Sequence, residues 1–486
     1  MPKPSHIDLQ AVARDVTRQH GFNPDFSQAV RQQLALLRDH PSQMDAGKDV
    51  RDLRDRLWSS IDNDTSTDLD QIELAEKLTN GDVRILVGIA DVDGYVPKQS
   101  AIDLHAAREA TTVYAGVRNF PMLPEQLSTD KTSLLENHDR LAVVIEFVVD
   151  NNGHVDSSGV YRALVRNRAQ LQYNSVGAWL EGTAEAPHKV AASGDLQAQL
   201  RLQDEVAQKL RSQRYAHGAL TLQTDETLPL ILPEQAVDSM KQQKNCATEL
   251  IEDFMIAVNG VVARRLENVS SLRRIVKQPK RWDRIVELAA GYGQKLPADP
   301  DSKALNDFLV KRKAADPDQF ADLSLAVIKL IGMGEYILER PGDSAPGHFG
   351  LAVPDYTHST APNRRFADVV TQRILKATLA GQANPYSDQE LLAIAANCTE
   401  REDAARKVER EMSKRLAASA LQHRIGAVFD AIVTGVSAKG TFVRALQLGV
   451  EGLLAQGQQG ADVGDRIRVK LIRTDVQRGY IDFARI

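Results

Sequence analysis

Cysteine is nearly absent: Cys246 and Cys398 are the only two in 486 residues, far apart and without CxxC spacing. That excludes a disulfide framework and a structural zinc site, and it leaves thiol redox chemistry without support. No stretch approaches the roughly 18 consecutive apolar residues of a membrane-spanning helix, and the N-terminal MPKPSHIDLQ has no apolar signal-peptide core. A soluble, intracellular, cytoplasmic protein with no membrane contact is the expectation. Positive charge is not in excess either, with 60 Lys and Arg against 65 Asp and Glu and a net charge of −5. Bulk attraction to a polyanion is therefore lacking, and any binding of nucleic acid must come from local basic patches. Internal repeats and low-complexity tracts are also missing.

What is present is enough for ordinary globular packing, since 43% of the residues are hydrophobic, and the length exceeds what one core supports. Residues 1–40 read as two short helices, DLQAVARDVTRQHG ending at Gly21 and DFSQAVRQQLALLRDH starting at a capping Asp25 and stopping before Pro41. VRILVGIADVDGYV (83–96) and RLAVVIEFVVDNNGHV (140–155) read as strands, the second entering an Asn-Asn-Gly hairpin turn. ATELIEDFMIAVNGVVARRLEN (247–268) has the pattern of a long amphipathic helix. YTHSTAPNRRFADVVTQRILKATLAG (356–381) is a loop running into another, and a charged, Ala-rich helix fills Asp388 to Gln422. Residues 425–486 hold five alternating runs broken by Gly, Asp and Gln, the length and rhythm of a small five-stranded barrel of the OB type. The expected division is a helical segment over 1–50, for which a helix-turn-helix-like module is one reading, a mixed domain over 51–420 and the barrel over 421–486.

Chemistry is concentrated in IDNDTSTDLDQIE (61–73), which follows the basic run Lys48 to Arg56 and places Asp62, Asp64, Asp68, Asp70 and Glu73 within thirteen residues. Such carboxylates repel unless water or a cation screens them. An extended 66–70 points Asp68 and Asp70 the same way, and Asp62 joins them if Asn63 to Thr67 turn. Three converging carboxylates suit a hard divalent cation that keeps several waters, Mg²⁺ or Mn²⁺; the plain alternative is an Asp-rich surface turn. Arg364 and Arg365, after Pro362 and near a helix start, have the forked geometry that holds phosphate, or they begin a solvated helix. Tyr114 and Tyr173 lie in polar surroundings suited to stacking on bases, or they are half-buried packing residues. RRIVKQPKRWDR (273–284) interleaves Trp282 with basic residues and reads either as a phosphate-tracking run or as a solvated helix pair.

Taken together and in order, IDNDTSTDLDQIE, VGIADVDGYV, FPMLPEQLS, LIEDFMIAVN, HFGLAVPDYTHSTAPNRRFADVV and the barrel's GTFV, GVEGLL and VGDRIRVKLI resemble the ribonuclease II family over nearly the whole chain from about residue 10. The resemblance implies an α+β fold: an RNB-type mixed α/β catalytic domain, a small helical N-terminal segment and a C-terminal five-stranded OB-fold barrel of the ribosomal-protein S1 type. It implies processive 3′-to-5′ hydrolysis of RNA to nucleoside 5′-monophosphates with Mg²⁺, or Mn²⁺, by a monomer acting mainly on single-stranded RNA with a free 3′ end. By motif position Asp62, Asp68 and Asp70 match the family's catalytic, metal-holding acids, and Arg364, with Arg365 beside it, matches the arginine on the scissile phosphate. Tyr114 falls where the family stacks an aromatic on a base, Tyr173 and Glu252 where it contacts the terminal nucleotides, with Asp253 adjacent, and Glu409 where it has an acid near the exit of the site.

Two departures matter. Gln71 stands where relatives have a fourth carboxylate; its amide oxygen can ligate Mg²⁺ but is neutral, so one metal is expected, with Asp64 or Glu73 as compensating acids for a second. About fifty residues precede the catalytic region, too few for the two cold-shock barrels of many relatives. An open entrance that admits duplex RNA with a short 3′ overhang is the corresponding expectation. The rival expectation is a catalytically silent RNA-binding regulator with the same fold, its metal site disabled by Gln71.

Overall fold

The computed structural model describes residues 7–39, 49–223, 244–344, 346–438, 440–446 and 448–486. Apolar runs broken at Asn, Asp and Gly dominate residues 50–172, and they form one sheet. Its strands are β1 (Val50–Asp52), β2 (Trp58–Asp62), β3 (Gln71–Lys77) and β4 (Val83–Ala90), followed, after a two-stranded ribbon of β5 (Val113–Tyr114) and β6 (Asn119–Phe120), by the long β7 (Asp139–Val149) and β8 (Val155–Gln172). The order is β1-β8-β2-β3-β4-β7, and β8 also pairs with β7, so the ladder returns on itself. Trp58, Ile61, Leu69, Ile72, Ile85, Ile89 and Phe147 are each no more than 1% exposed along it. Burial of each such side chain contributes roughly 1.5–3 kcal/mol, which fixes the register from which the acidic loop departs.

The expected hairpin joins β7 to β8: the Asp150 carboxylate accepts the N–H groups of Asn152 and His154, both at 2.8 Å. Gly153 supplies the φ of +85° that closes the turn, and a Cβ there would stand 2.5 Å from the Lys209 carbonyl oxygen.

The first helix, Leu9–Gln19, is capped by Asp8. The second begins at Gln28 rather than at the expected Asp25. Ser27 Oγ accepts the Val30 N–H, while the Asp25 carboxylate is held by Arg14 and Arg18, two guanidinium partners that outweigh a single capping bond. Cys246–Arg265 and Asp388–Leu421 form the expected long helices, each opened by a capping box, Asn245 with Thr248 and Ser387 with Glu390.

Only part of the basic run 273–284 is solvated: Lys277, Lys280, Arg281 and Arg284 are exposed, but its first two arginines are not. Arg273 and Arg274 lie in β9 (Ser271–Ile275), paired with β10 (Glu335–Glu339), and are 1% and 6% exposed. Arg273 is neutralised by Glu339 and Asp355, and Arg274 by Glu402. Trp282 is buried at the start of the helix Trp282–Gly291, which forms a separate core with Ser302–Ala315 and Pro317–Ile331.

After the long helix, β11 (Val428–Ser437), β12 (Gly440–Ala445), β13 (Val450–Gln456), β14 (Arg466–Asp475) and β15 (Tyr480–Arg485) close into a barrel of order β11-β12-β13-β15-β14. Ala417, Ala418 and Leu421 from the end of the long helix join Phe429, Val443, Leu454 and Phe483 in its core. A second tether crosses to the small helical core, where Arg444 of β12 donates to Asp322 at 2.6 Å. The architecture is the α+β fold expected from the sequence, with its five-stranded C-terminal barrel. Among the described residues no helix is long and apolar enough to cross a membrane.

Candidate active site

Asp62 ends β2, and the chain then turns: the Ser66 N–H donates to the Asn63 carbonyl at 3.2 Å, and Asp62 Oδ1 accepts the Asn63 N–H and the Ser66 hydroxyl at 2.7 and 2.9 Å. Beyond the turn Leu69 plugs into the core. Its N–H is held by Ser133 Oγ at 2.9 Å, and its carbonyl accepts the Leu134 N–H at 3.0 Å. With Leu69 pinned inward, alternation turns Asp68 and Asp70 to the other side.

There they meet the loop before the helix Phe366–Leu379. Asp70, 3% exposed, accepts the Asn363 N–H at 2.9 Å, and its other oxygen lies 3.6 Å from Arg364 Nε. The loop is stitched to the Tyr114 strand, since the Thr112 N–H donates to the Arg364 carbonyl at 3.0 Å. The Tyr114 hydroxyl therefore falls between Asp68 and Arg364 and interacts with both. Thr132 Oγ1 lies 2.6 Å from the Asn363 amide and 2.8 Å from the Leu127 carbonyl. Because a hydroxyl has one proton, the amide NH₂ turned toward Thr132 satisfies both contacts.

The electrostatics follow from burial. Loss of solvent pushes the Asp70 carboxyl up to about 8; Arg364 and the Asn363 N–H oppose the rise, and Asp68 adds to it. Burial likewise raises Asp68, with Arg364 working against it and the Asp62 charge with it. Tyr173, first residue of the helix Tyr173–Leu180, is raised mainly by burial and then by the charges of Asp62 and Glu73.

The remaining expected residues divide. Arg364 is half exposed beside the carboxylates, whereas Arg365 turns its fork onto the buried Asp368, at 2.8 and 2.7 Å. Glu252 faces outward and is bound by Lys244 at 2.6 Å; its neighbour Asp253, 1% exposed, is clasped by Arg211 and Arg214. Glu409 is half-buried on the helix Asp388–Leu421, which packs on the ribbon carrying Tyr114. Gln71 is 8% exposed at the start of β3. The sequence reading did not single out Thr132 or Asn363, whose types signal nothing by themselves. Glu73, named only as a compensating acid, is 0% exposed, and neither of its carboxylate oxygens has a hydrogen-bond partner among the described residues.

Among the described residues no group of three or more His, Cys, Asp or Glu side chains is gathered closely enough to cage a metal ion. The donors nonetheless suit one. They are all oxygen atoms, Asp70 is buried and Asp68 partly so, the charge of Asp68 raises Asp70, and Mg²⁺ is ordinarily held by one or two carboxylates, waters and substrate phosphate oxygens rather than by a complete protein cage.

Comparison with known proteins matches the chain to a family. Residues 50–381 match the family model described as RNB domain, and residues 427–486 match the RNase II-type exonuclease C-terminal S1 domain. Ribonuclease R of Thermotoga maritima is 29% identical over 474 residues, covering 89% of this chain and 64% of that protein. Ribonuclease R of Escherichia coli is 28% identical over 507 residues, covering 96% and 61%. The chain thus spans about three-fifths of the length of these curated relatives. In fold it is similar to Mycoplasma genitalium RNase R solved in complex with ribose-methylated single-stranded RNA, with a TM-score of 0.87 at 22% identity over 99% of this chain and 78% of that one. Because the RNB-domain match alone takes in well over half of the sequence, the chain belongs to the RNB family of ribonuclease II-type proteins.

Proposed function

We propose that the chain is a 3′-to-5′ exoribonuclease that degrades RNA processively to nucleoside 5′-monophosphates with a divalent cation, Mg²⁺ or Mn²⁺, acting as a cytoplasmic monomer. The observation that carries this reading is the junction of two segments some three hundred residues apart: Asp70, buried and anchored by the Asn363 N–H, with the half-exposed Arg364 guanidinium 3.6 Å away. A buried acid beside a solvent-facing guanidinium suits phosphodiester chemistry, in which negative charge grows on the phosphoryl oxygens.

Asp68 and Asp70, with Asp62 at the start of the turn, are the carboxylates available to a cation, which would supply charge neutralisation on the phosphate and make water more acidic. Arg364 orients the scissile phosphate from the opposite side and stabilises its developing charge. Tyr114, 36% exposed beside Asp68, offers its ring to a base near the 3′ end, and Tyr173 lies within reach of the charges of Asp62, Glu73 and Arg364. Burial of Asp70 excludes water that would otherwise screen its charge.

On the barrel, Arg466, Arg468 and Lys470 alternate with the buried Ile467, Val469 and Leu471 along β14, so three cations face outward in a row despite the acidic net charge of the chain. That row can follow a phosphate backbone. Mycoplasma genitalium RNase R has also been solved in complex with double-stranded RNA, at a TM-score of 0.86 and 24% identity, and this supports extending the proposed substrates to duplexes with a 3′ overhang.

Product analysis on RNA labelled at either end, with Mg²⁺ or Mn²⁺, tests the reading. Mononucleotides released from the 3′ end, with a DNA oligomer left intact, are expected. RNA binding without release of any nucleotide under either ion would instead favour the silent regulator that Gln71 suggests.

A further inference from the structure

Gln71 brings a neutral side chain to the acidic loop, yet two residues on, the same strand carries an acid with no evident structural use. Glu73 is fully buried, and both of its oxygens lack hydrogen-bond partners among the described residues. Its cross-strand neighbour on β2 is Ser59, whose buried hydroxyl is likewise without a partner. A carboxyl buried without a partner in an otherwise apolar stretch of β3 either stays protonated or is held ionised by a bound cation. No Lys, Arg or His takes that part among the interactions described. The charge that acts on Glu73 is that of another acid, Asp62, and the phenol of Tyr173 experiences both. Period-two alternation along β3 sends Gln71 and Glu73 to one face, one pair of residues apart.

We propose that Glu73 is the anionic ligand that replaces the missing charge at Gln71, sharing one Mg²⁺ or Mn²⁺ with Asp62 on the Tyr173 side of the cleft. Two carboxylates leave room for water and phosphate oxygens, the way Mg²⁺ is commonly bound. Gln71 contributes at most a neutral oxygen. The charge of the site is thereby conserved by moving one carboxylate two residues along the strand.

This inference rests on the metal-dependent reading of the cleft, and cation binding to the RNA-free full-length protein separates the two. The probe is Mn²⁺ alone, titrated to millimolar concentration and followed by electron paramagnetic resonance, with Mn²⁺-induced change in thermal midpoint as a second readout. Glu73→Gln, which keeps the shape of the side chain, should weaken Mn²⁺ binding at least tenfold and abolish the Mn²⁺-induced rise in midpoint. Asp62→Asn should do the same, and Gln71→Asp introduced into Glu73→Gln should restore binding. Unchanged affinity in Glu73→Gln, or loss that Gln71→Asp leaves unrescued, overturns the assignment while the cleft remains a metal site. Absence of any Mn²⁺ binding by the unmodified protein overturns both.

Discussion

Replacing Asp70 with asparagine should make the metal-free protein more stable and, by the proposed chemistry, inactive. In the folded chain the carboxyl is raised from 3.8 to about 8, chiefly by burial. The folded state then holds a proton that the unfolded chain releases, so the associated penalty is absent below about pH 4 and grows until about pH 8. At about 1.4 kcal/mol per pKa unit, the four-unit difference corresponds to on the order of 5 kcal/mol at the alkaline end and about 4 kcal/mol at pH 7. Asparagine removes the ionisation and keeps an oxygen for the Asn363 N–H, but it forfeits the attraction of Arg364. The net gain expected is therefore roughly 2–4 kcal/mol at pH 8 and close to zero at pH 4. Urea unfolding of both proteins in a chelator, at pH 4, 6 and 8, measures it. Comparing the two removes the parallel contributions of Glu73 and Asp253, which are also raised. A difference that does not widen with pH, or an asparagine variant less stable at pH 8, would refute the electrostatic account of the cleft. RNA affinity should survive the substitution, because the guanidinium and stacking groups remain.

Arg364→Ala should lower the rate of hydrolysis by roughly 10²–10³, with Arg364→Lys intermediate, because a point charge lacks the planar fork; single-turnover rates check this. Alanine at Arg466, Arg468 and Lys470 together should flatten the dependence of log affinity on log salt by about 2 for single-stranded RNA, at about 0.7 per phosphate contact, while hydrolysis of very short substrates is unchanged. Arg273→Met strands Glu339 and Asp355 beside an apolar side chain and should destabilise the fold by about 3–5 kcal/mol in denaturant unfolding.

The elements with strong periodicity or punctuation were legible in the sequence: most of the strand read over 83–96, which stops at Ala90, the hairpin at Gly153, the helix Cys246–Arg265 and the five strands of the barrel. The turn after Asp62 and the approach of Arg364 to Asp70 also match expectation, because alternation and family position point the same way. Where the reading failed, tertiary partners decided. Arg273 and Arg274 read as a solvated basic run because the acids that bury them, Glu339, Asp355 and Glu402, lie from about 65 to 130 residues away in sequence. Asp25 resembles a cap by type and position, yet two arginines one turn apart on the first helix claim it. The burial of Glu73 was equally invisible, since IEL within QIELAEK does not say which side of a strand is dry.

The helix Asp388–Leu421 has 34 residues, a rod of about 50 Å. Ala405, Val408 and Met412 grip the ribbon beside Tyr114, while Ala417, Ala418 and Leu421 are embedded in the barrel. The stretch from Ala405 to Leu421, about 24 Å of helix, holds the barrel at a set distance from the ribbon that carries Tyr114. Oligonucleotides too short to bridge that gap meet the cleft alone, so affinity should rise in a step with substrate length, and the length at which the step occurs is a dimension of the protein rather than a property of the RNA.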